Sequence, residues 1–292
     1  MATRPVFVVS DKSPHYSVFN AEFTWAGGFA TSQKQKNVAS MHRCFESAFP
    51  GKKALEISSK STEEWGIGAS AFYLKKTVPS IGKSFPVENV YQSGKVFERG
   101  GPYVDLLDAA PIDAKRDERL KTSGALVSFR LESADFPLVP KNAFYDFIYI
   151  NALLENPDIS ERLKEYDGFT DIAFNPEKSL NCQARAAAIF VSLCRLGLID
   201  KVKDFDSFVS LFGNVGRPRT VTAEPKEQSL TKKEEPIMPE IVEGDIVVHK
   251  VFGKGTVVSA IETTLKVQFP SVGEKTLGLP WVCQNCKIEK IN

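Results

Sequence analysis

An α+β fold with a separate small β-barrel is what this 292-residue sequence predicts. Helix and strand signals mix over residues 1–213 without the regular βα alternation of a doubly wound sheet. Residues 214–240 turn charged and proline-containing (Arg217, Pro218, Pro225, Lys232, Lys233, Glu234, Glu235, Pro236), the composition of a flexible linker. Residues 241–292 switch to short alternating strands punctuated by glycine, which reads as an all-β barrel of the SH3 type.

Taken in order, Pro5–Ser10 is a short apolar strand, and Tyr16–Trp25 is a second in which Val18, Phe19, Phe23 and Trp25 interleave with polar groups. Gln33–Phe49 carries Val38, Met41, Phe45 and Phe49 at helical spacing. Lys53–Ser58 is a strand that runs into the polar segment Ser58-Ser59-Lys60-Ser61. Ser84–Gly101 predicts the next helix, with Pro86 in its first turn and Gly100-Gly101 as its stop. Val87, Val90, Tyr91, Gly94 and Phe97 form one stripe of that helix, and Glu88, Gln92, Lys95 and Arg99 form another. The polar stripe has two readings: a pocket lining of acid, amide and amine, or a solvated face on which Glu88 favours the helix dipole.

Gly100–Asp117 is loop-rich and ends in the charge cluster Lys115-Arg116-Asp117-Glu118-Arg119. Leu126–Leu131 alternates as a strand, and a helix with Phe144, Phe147, Ile148 and Leu154 on one face follows Asn142. Asn156-Pro157-Asp158 opens a short helix, since asparagine caps well and proline suits the first position. Leu180–Leu198 is a long apolar helix. Ahead of it, Asp167 and Asp171 lie in a turn-rich loop, facing an anion site or simply turning the chain.

Composition excludes several classes. An apolar content of 42% with 21 phenylalanines is ample for a core, and a net charge of +1 gives no global pull towards nucleic acid or membrane. No stretch approaches the roughly 18 apolar residues of a membrane span, and the first residues lack a signal-peptide pattern. Five unevenly spread cysteines read as reduced thiols, so the expected location is the cytoplasm. The three histidines have no zinc-ligand spacing, and Cys283-Gln284-Asn285-Cys286 lacks a second pair, so neither a metal nor a cofactor is expected. Phosphate-binding glycine loops and nucleophile elbows are missing too, against P-loop and serine-hydrolase chemistry.

Pro86-Val87-Glu88-Asn89-Val90-Tyr91-Gln92-Ser93-Gly94-Lys95-Val96-Phe97 resembles the S/V-E-x-x-Y/F-Q-x-x-K-F signature of the NADAR family. Asp135-Phe136 resembles its D-W pair, Asp171–Asn175 its D-x-x-W-G segment, and Asn181-Cys182-Gln183 its N-x-L-G helix start, with Phe136 and Phe174 where tryptophans are usual. Leu55–Ser61, Lys95–Tyr103 and Phe144-Tyr145-Asp146 are similar to the antitoxin branch associated with DarT-type DNA ADP-ribosyltransferase toxins, over most of residues 1–212.

The resemblance implies a helix-rich, YbiA-like α+β domain that removes ADP-ribose from guanine bases of single-stranded DNA or guanine nucleotides. It makes Lys95 the key amine, either stabilising the leaving base or attacking the sugar to give an imine. Glu88 would orient the ribose or act as base, and Asp171 would be a further acid or base. Gln92, Arg99, Phe136, Phe174, Asn181, Gln183, Ser59, Lys60 and Phe72 would contact substrate, the two phenylalanines by stacking. Alternatives are an N-glycosidase for small intermediates of riboflavin synthesis and a non-catalytic ADP-ribose or DNA reader.

The tail has its own likeness. His249-Lys250-Val251-Phe252-Gly253-Lys254-Gly255-Thr256-Val257 resembles the H-x-x-F-G-x-G-x-V core of the Tudor-like barrel that ends UvrD/PcrA-type helicases. Gly253 and Gly255 would permit the first turn, and Val247, Phe252 and Val257 would fill a core. Lys250, Lys254, Lys266 and Lys275 would offer a basic surface to nucleic acid or to a transcription or repair protein, or form an ordinary solvated face.

Overall fold

The computed structural model describes residues 1–175, 182–212, 241, 243–249, 251–261, 264–278, 282 and 286–289. The chain divides into two units, Met1–Pro225 and Lys226–Asn292. The charged stretch 214–240 lies outside the described residues, as do Asn181, Lys250 and Cys283.

The first unit opens with the hairpin β1 (Ala2–Val9) and β2 (Tyr16–Phe23), then α1 (Thr31–Ala48) and β3 (Ala54–Glu56). There follow α2 (Glu64–Gly68), β4 (Lys75–Val78), β5 (Lys83–Pro86), α3 (Val87–Ser93) and β6 (Lys95–Phe97). Next come α4 (Pro111–Arg116), α5 (Arg119–Thr122), β7 (Leu126–Leu131), β8 (Ala134–Phe136), α6 (Ala143–Glu155) and α7 (Pro157–Leu163). The unit closes with β9 (Gly168–Thr170), α8 (Gln183–Arg195) and α9 (Phe205–Ser210). Helix and strand are thus mixed without regular alternation, as expected.

The main sheet has the order β2-β1-β9-β3, antiparallel except for the parallel pair β3 and β9. Period-two alternation divides its faces. Val6, Val8, Phe19, Ala21 and Phe23 pack with Val38, Met41 and Phe45 of α1. Phe7, Leu55 and Phe169 join the other cluster, with the buried alanines of α8 and the aromatics of α6. Small side chains let α8 approach the sheet closely, and Tyr149 of α6 satisfies its buried hydroxyl on the Ala69 carbonyl at 2.6 Å. The C-terminal ends of β3 and β9 therefore open beside the N-terminal ends of α3 and α8.

The helix α4 falls within the stretch Gly100–Asp117 expected to be loop-rich, and a larger difference lies just before it. The helix predicted over Ser84–Gly101 ends at Ser93, and Lys95–Phe97 is a strand pairing with β7, Lys95 opposite Phe129. Gly94 is the reason. Its backbone lies so close to the Arg130 carbonyl that a Cβ would stand 2.7 Å away, and its own carbonyl accepts from Arg130 N at 2.7 Å. The β-branched and aromatic pair Val96-Phe97 gains a partner strand there that a helix would not give it. Every residue from Val87 to Ser93 is buried, so the solvated-face reading of Glu88 and Gln92 is overturned. Arg99 leaves the stripe altogether and donates to the Thr122 carbonyl at 2.9 Å.

In the second unit, β10 (Ile246–His249), β11 (Gly253–Ile261), β12 (Thr264–Phe269), β13 (Gly273–Gly278) and β14 (Lys287–Glu289) form an antiparallel sheet. Its order is β13-β12-β11-β10-β14, and no pairing between β13 and β14 closes it into a barrel among the described residues. Val247, Val257, Leu265, Val267 and Phe269 are buried, with Phe252 packed against them. The H-x-x-F-G segment builds the turn: His249 Nδ1 accepts from Val251 N at 3.1 Å and Phe252 N at 3.2 Å, its ring stacks on Phe252, and Gly253 takes φ +77°. At Gly255 the Phe269 ring would lie 2.5 Å from a Cβ. Gly255→Ala should therefore cost this sheet about 1–3 kcal/mol, read by the loss of its amide-exchange protection. Lys254 pairs with Glu289 and Lys266 with Glu274, which tempers the expected basic surface.

Candidate functional site

Glu88 sits in the first turn of α3, its amide donating to the Ala71 carbonyl at 2.9 Å. One turn on, Gln92 Nε2 donates to Glu88 Oε1 at 2.7 Å, so the i, i+4 spacing holds the carboxylate in place. Both residues are 5% exposed, and Gln92 Oε1 is buried without a hydrogen-bond partner. The other carboxylate oxygen, Glu88 Oε2, faces Lys115 Nζ at 3.6 Å.

Lys95, the first residue of β6, places Nζ 4.7 Å from the centre of the Tyr91 ring. Burial brings its pKa down to about 8, with Lys115 acting in the same direction and Glu88 opposing. A share of the amine is thus neutral near pH 7–8. Gly101 secures the strand from behind: at φ +82° it lies where a Cβ would run into the Lys95 carbonyl oxygen. We expect Gly101→Ala to displace Lys95 and loosen its strand, read as loss of amide-exchange protection over Lys95–Phe97 beside a circular dichroism spectrum showing retained fold. Unchanged protection would mean that this contact does not position the amine.

Asp171 follows β9. Its Oδ1 accepts from Ala173 N at 3.0 Å and its Oδ2 from Gln183 Nε2 at 3.0 Å. Burial and the nearby Glu56 carboxylate raise its pKa to about 7, outweighing those two hydrogen bonds. Gln183, the first residue of α8, also donates to the Ile57 carbonyl and accepts from Ala71 N at 2.7 Å, tying β3, α8 and the segment before α3 together. Glu56, 1% exposed, is the underlying anchor. It accepts from Ser58 Oγ and Thr170 Oγ1, each at 2.6 Å, and from Ile172 N at 2.8 Å.

These groups surround a cavity of about 300 Å³. Of the residues expected from the sequence, Glu88, Gln92, Lys95, Asp171, Gln183, Ser59 and Phe72 line it. Lys60 does not; its amide donates to Ser58 Oγ. Phe136, 9% exposed, belongs to the aromatic core against Phe144 and Phe205, and Phe174 packs its ring edge on Phe7, so neither stacking role is placed at the cavity. Arg99 is also away from it, and Asn181 is outside the described residues.

Ser58, Ser70, Tyr91, Lys115, Tyr145 and Ala173 complete the lining. Sequence reasoning passed over Glu56 and Lys115, although a glutamate inside the apolar run Ala54–Ile57 is itself a signal of a buried anchor. No group of His, Cys, Asp and Glu able to hold a metal occurs among the described residues. Nor is any helix among them long and apolar enough to cross a membrane. A search of curated proteins found no match. Residues 2–220 match the family described as the DarT1-associated NADAR antitoxin.

Proposed function

The chain belongs to the DarT1-associated NADAR antitoxin family, and from that membership and the cavity we propose that it removes ADP-ribose from guanine bases of DNA. The observation that carries the reading is a desolvated amine, Lys95, in one cavity with two carboxyl groups, Glu88 and Asp171. Cleavage of an N-glycosidic bond develops positive charge at the anomeric carbon and negative charge on the departing base. The neutral Lys95 amine attacks that carbon while the bond to the guanine nitrogen breaks. The bonding pair leaves with the base, which takes a proton from Asp171. The ammonium so formed returns a proton to Asp171, the aminoglycoside opens to an imine as its remaining N–H proton passes to the ring oxygen, water adds, and the lysine amine departs, leaving free ADP-ribose and guanine. Glu88, fixed by Gln92, steadies the positive charge and orients the ribose hydroxyls.

This assignment sets the pH dependence. The active form needs Lys95 deprotonated, with a pKa of about 8, and Asp171 protonated, with a pKa of about 7. Its population therefore rises towards about pH 7, peaks between the two values, and falls beyond about pH 8. Asp171→Asn should remove the alkaline fall and leave a rate that climbs through about pH 8, as read from kcat/KM against pH. A flat profile from about pH 6 to about 9 is incompatible with these roles.

The competing substrate is a small N-ribosylated heterocycle. The test compares kcat/KM for ADP-ribosylguanine in a single-stranded oligonucleotide with that for such a nucleoside. We expect the oligonucleotide to be preferred at least about tenfold. Equal or reversed preference would replace the DNA reading with the metabolite one. We further propose that residues 241–292 form a Tudor-like module, joined by the 214–240 linker, that holds nucleic acid or a transcription or repair protein near the hydrolase. Deleting 241–292 should weaken that binding and leave cleavage intact; unchanged binding would reject the module.

A further inference from the structure

Lys115 is the cavity residue that the proposed reaction leaves unused. It is the one cation with a half-exposed side chain, 53%, lining the cavity among the described residues. Its backbone is fixed from below: Ala114 beside it in α4 is fully buried, and Asn89 Nδ2 donates to the carbonyls of Leu106 and Ala109 at 2.8 Å each in the segment that leads into α4. Its amine is not. It stands 3.6 Å from Glu88 Oε2, beyond hydrogen-bond distance, and 5.5 Å from the centre of the Phe72 ring. A long side chain on an anchored helix, with its charged end loosely held at a cavity mouth, is free to exchange one anionic partner for another.

The charge balance points to that partner. Glu88 places a carboxylate in a cavity of about 300 Å³, and in the active form Asp171 is protonated and Lys95 neutral, so an entering dianion meets like charge unless another cation faces it. Lys95 is buried over Tyr91 at the reacting end. Accepting the ADP-ribosylguanine reading, we propose that Lys115 is the residue that recognises the diphosphate of the ADP-ribosyl group. On binding it turns from Glu88 to the phosphate oxygens and frees Glu88 Oε2 for the ribose. The charge cluster Lys115–Arg119 in the sequence thus contributes one member to the site, while Arg119 pairs with Asp105 and Asp117 outside it.

The test is equilibrium binding of ADP-ribose itself, by calorimetry, to the full chain. Lys115→Gln should weaken binding about tenfold, Lys115→Arg should restore most of it, and the affinity should lose salt sensitivity with Lys115→Gln. The decisive arm repeats Lys115→Gln in a Glu88→Gln background. A tenfold loss that persists there places Lys115 on the anion; a loss that vanishes means that it acts only through Glu88, and overturns the proposal. ADP-ribose affinity independent of Lys115, or no binding at all, overturns it as well. Cleavage of ADP-ribosylguanine by the unmodified protein is scored separately, so failure of the hydrolase reading is distinguishable from failure of this one.

Discussion

Lys95→Ala is expected to lower the rate of ADP-ribose release from guanine by about 10³-fold or more, with the protein folded and ADP-ribose still bound. The amine is the group assigned to bond with the anomeric carbon. Burial over Tyr91 gives it a neutral fraction that an exposed lysine would lack at the same pH. Glu88→Gln keeps the shape and the Gln92 contact but removes the charge, and should cost about 10²–10⁴. Sodium borohydride added during turnover should trap a Lys95–ribose adduct that is located by peptide mass spectrometry. If activity requires Lys95 but no adduct forms, its role is to support the leaving base as an ammonium. If both variants retain the unmodified rate, the assignment of this cavity fails.

The second large effect is on stability. Arg185 of α8 reaches both carboxylate oxygens of Asp146 in α6, each at 2.8 Å, with the two residues 8% and 6% exposed. Removing one member of a buried pair leaves the other charge desolvated. Asp146→Ala should therefore cost about 3–5 kcal/mol and lower the melting temperature by about 10 °C. Asp146→Leu combined with Arg185→Met should recover much of that loss, because a well-packed apolar pair avoids the desolvation penalty. A single-variant loss below about 1 kcal/mol in urea unfolding would show that the pair does not hold α6 to α8.

Much of this architecture was legible from pattern. The spacing of Val38, Met41 and Phe45 specifies α1, and the alternation of Leu126–Leu131 specifies β7, because both bury one face against a neighbour. The boundary at Gly94 was not legible. A local window shows Val96 and Phe97 continuing a helical stripe, whereas their strand partner, β7, lies some 30 residues away in the chain. Tertiary pairing decided that element, and it separates Lys95 from the helix that carries Glu88 while bringing both to the same cavity. Phe136 and Phe174, at tryptophan positions of a family pattern, read as ligand-stacking groups, whereas among the described residues Phe136 packs on Phe144 and Phe174 on Phe7, and neither lines the cavity. Aromatic type alone does not separate a clamp from a core. Glu56 stands out in the sequence as a charge inside an apolar run and Lys115 as one member of a charge cluster, but the contacts of both emerge only when distant segments meet.

The most direct measurement is the intact mass of a guanine-containing oligonucleotide bearing one ADP-ribosyl group, taken before and after incubation with the full chain near pH 7.5, between the two pKa values. The account predicts that the oligonucleotide returns to its unmodified mass and that free ADP-ribose appears in equal amount, in a reaction lost with Lys95→Ala. An unchanged mass after incubation with folded protein would contradict it.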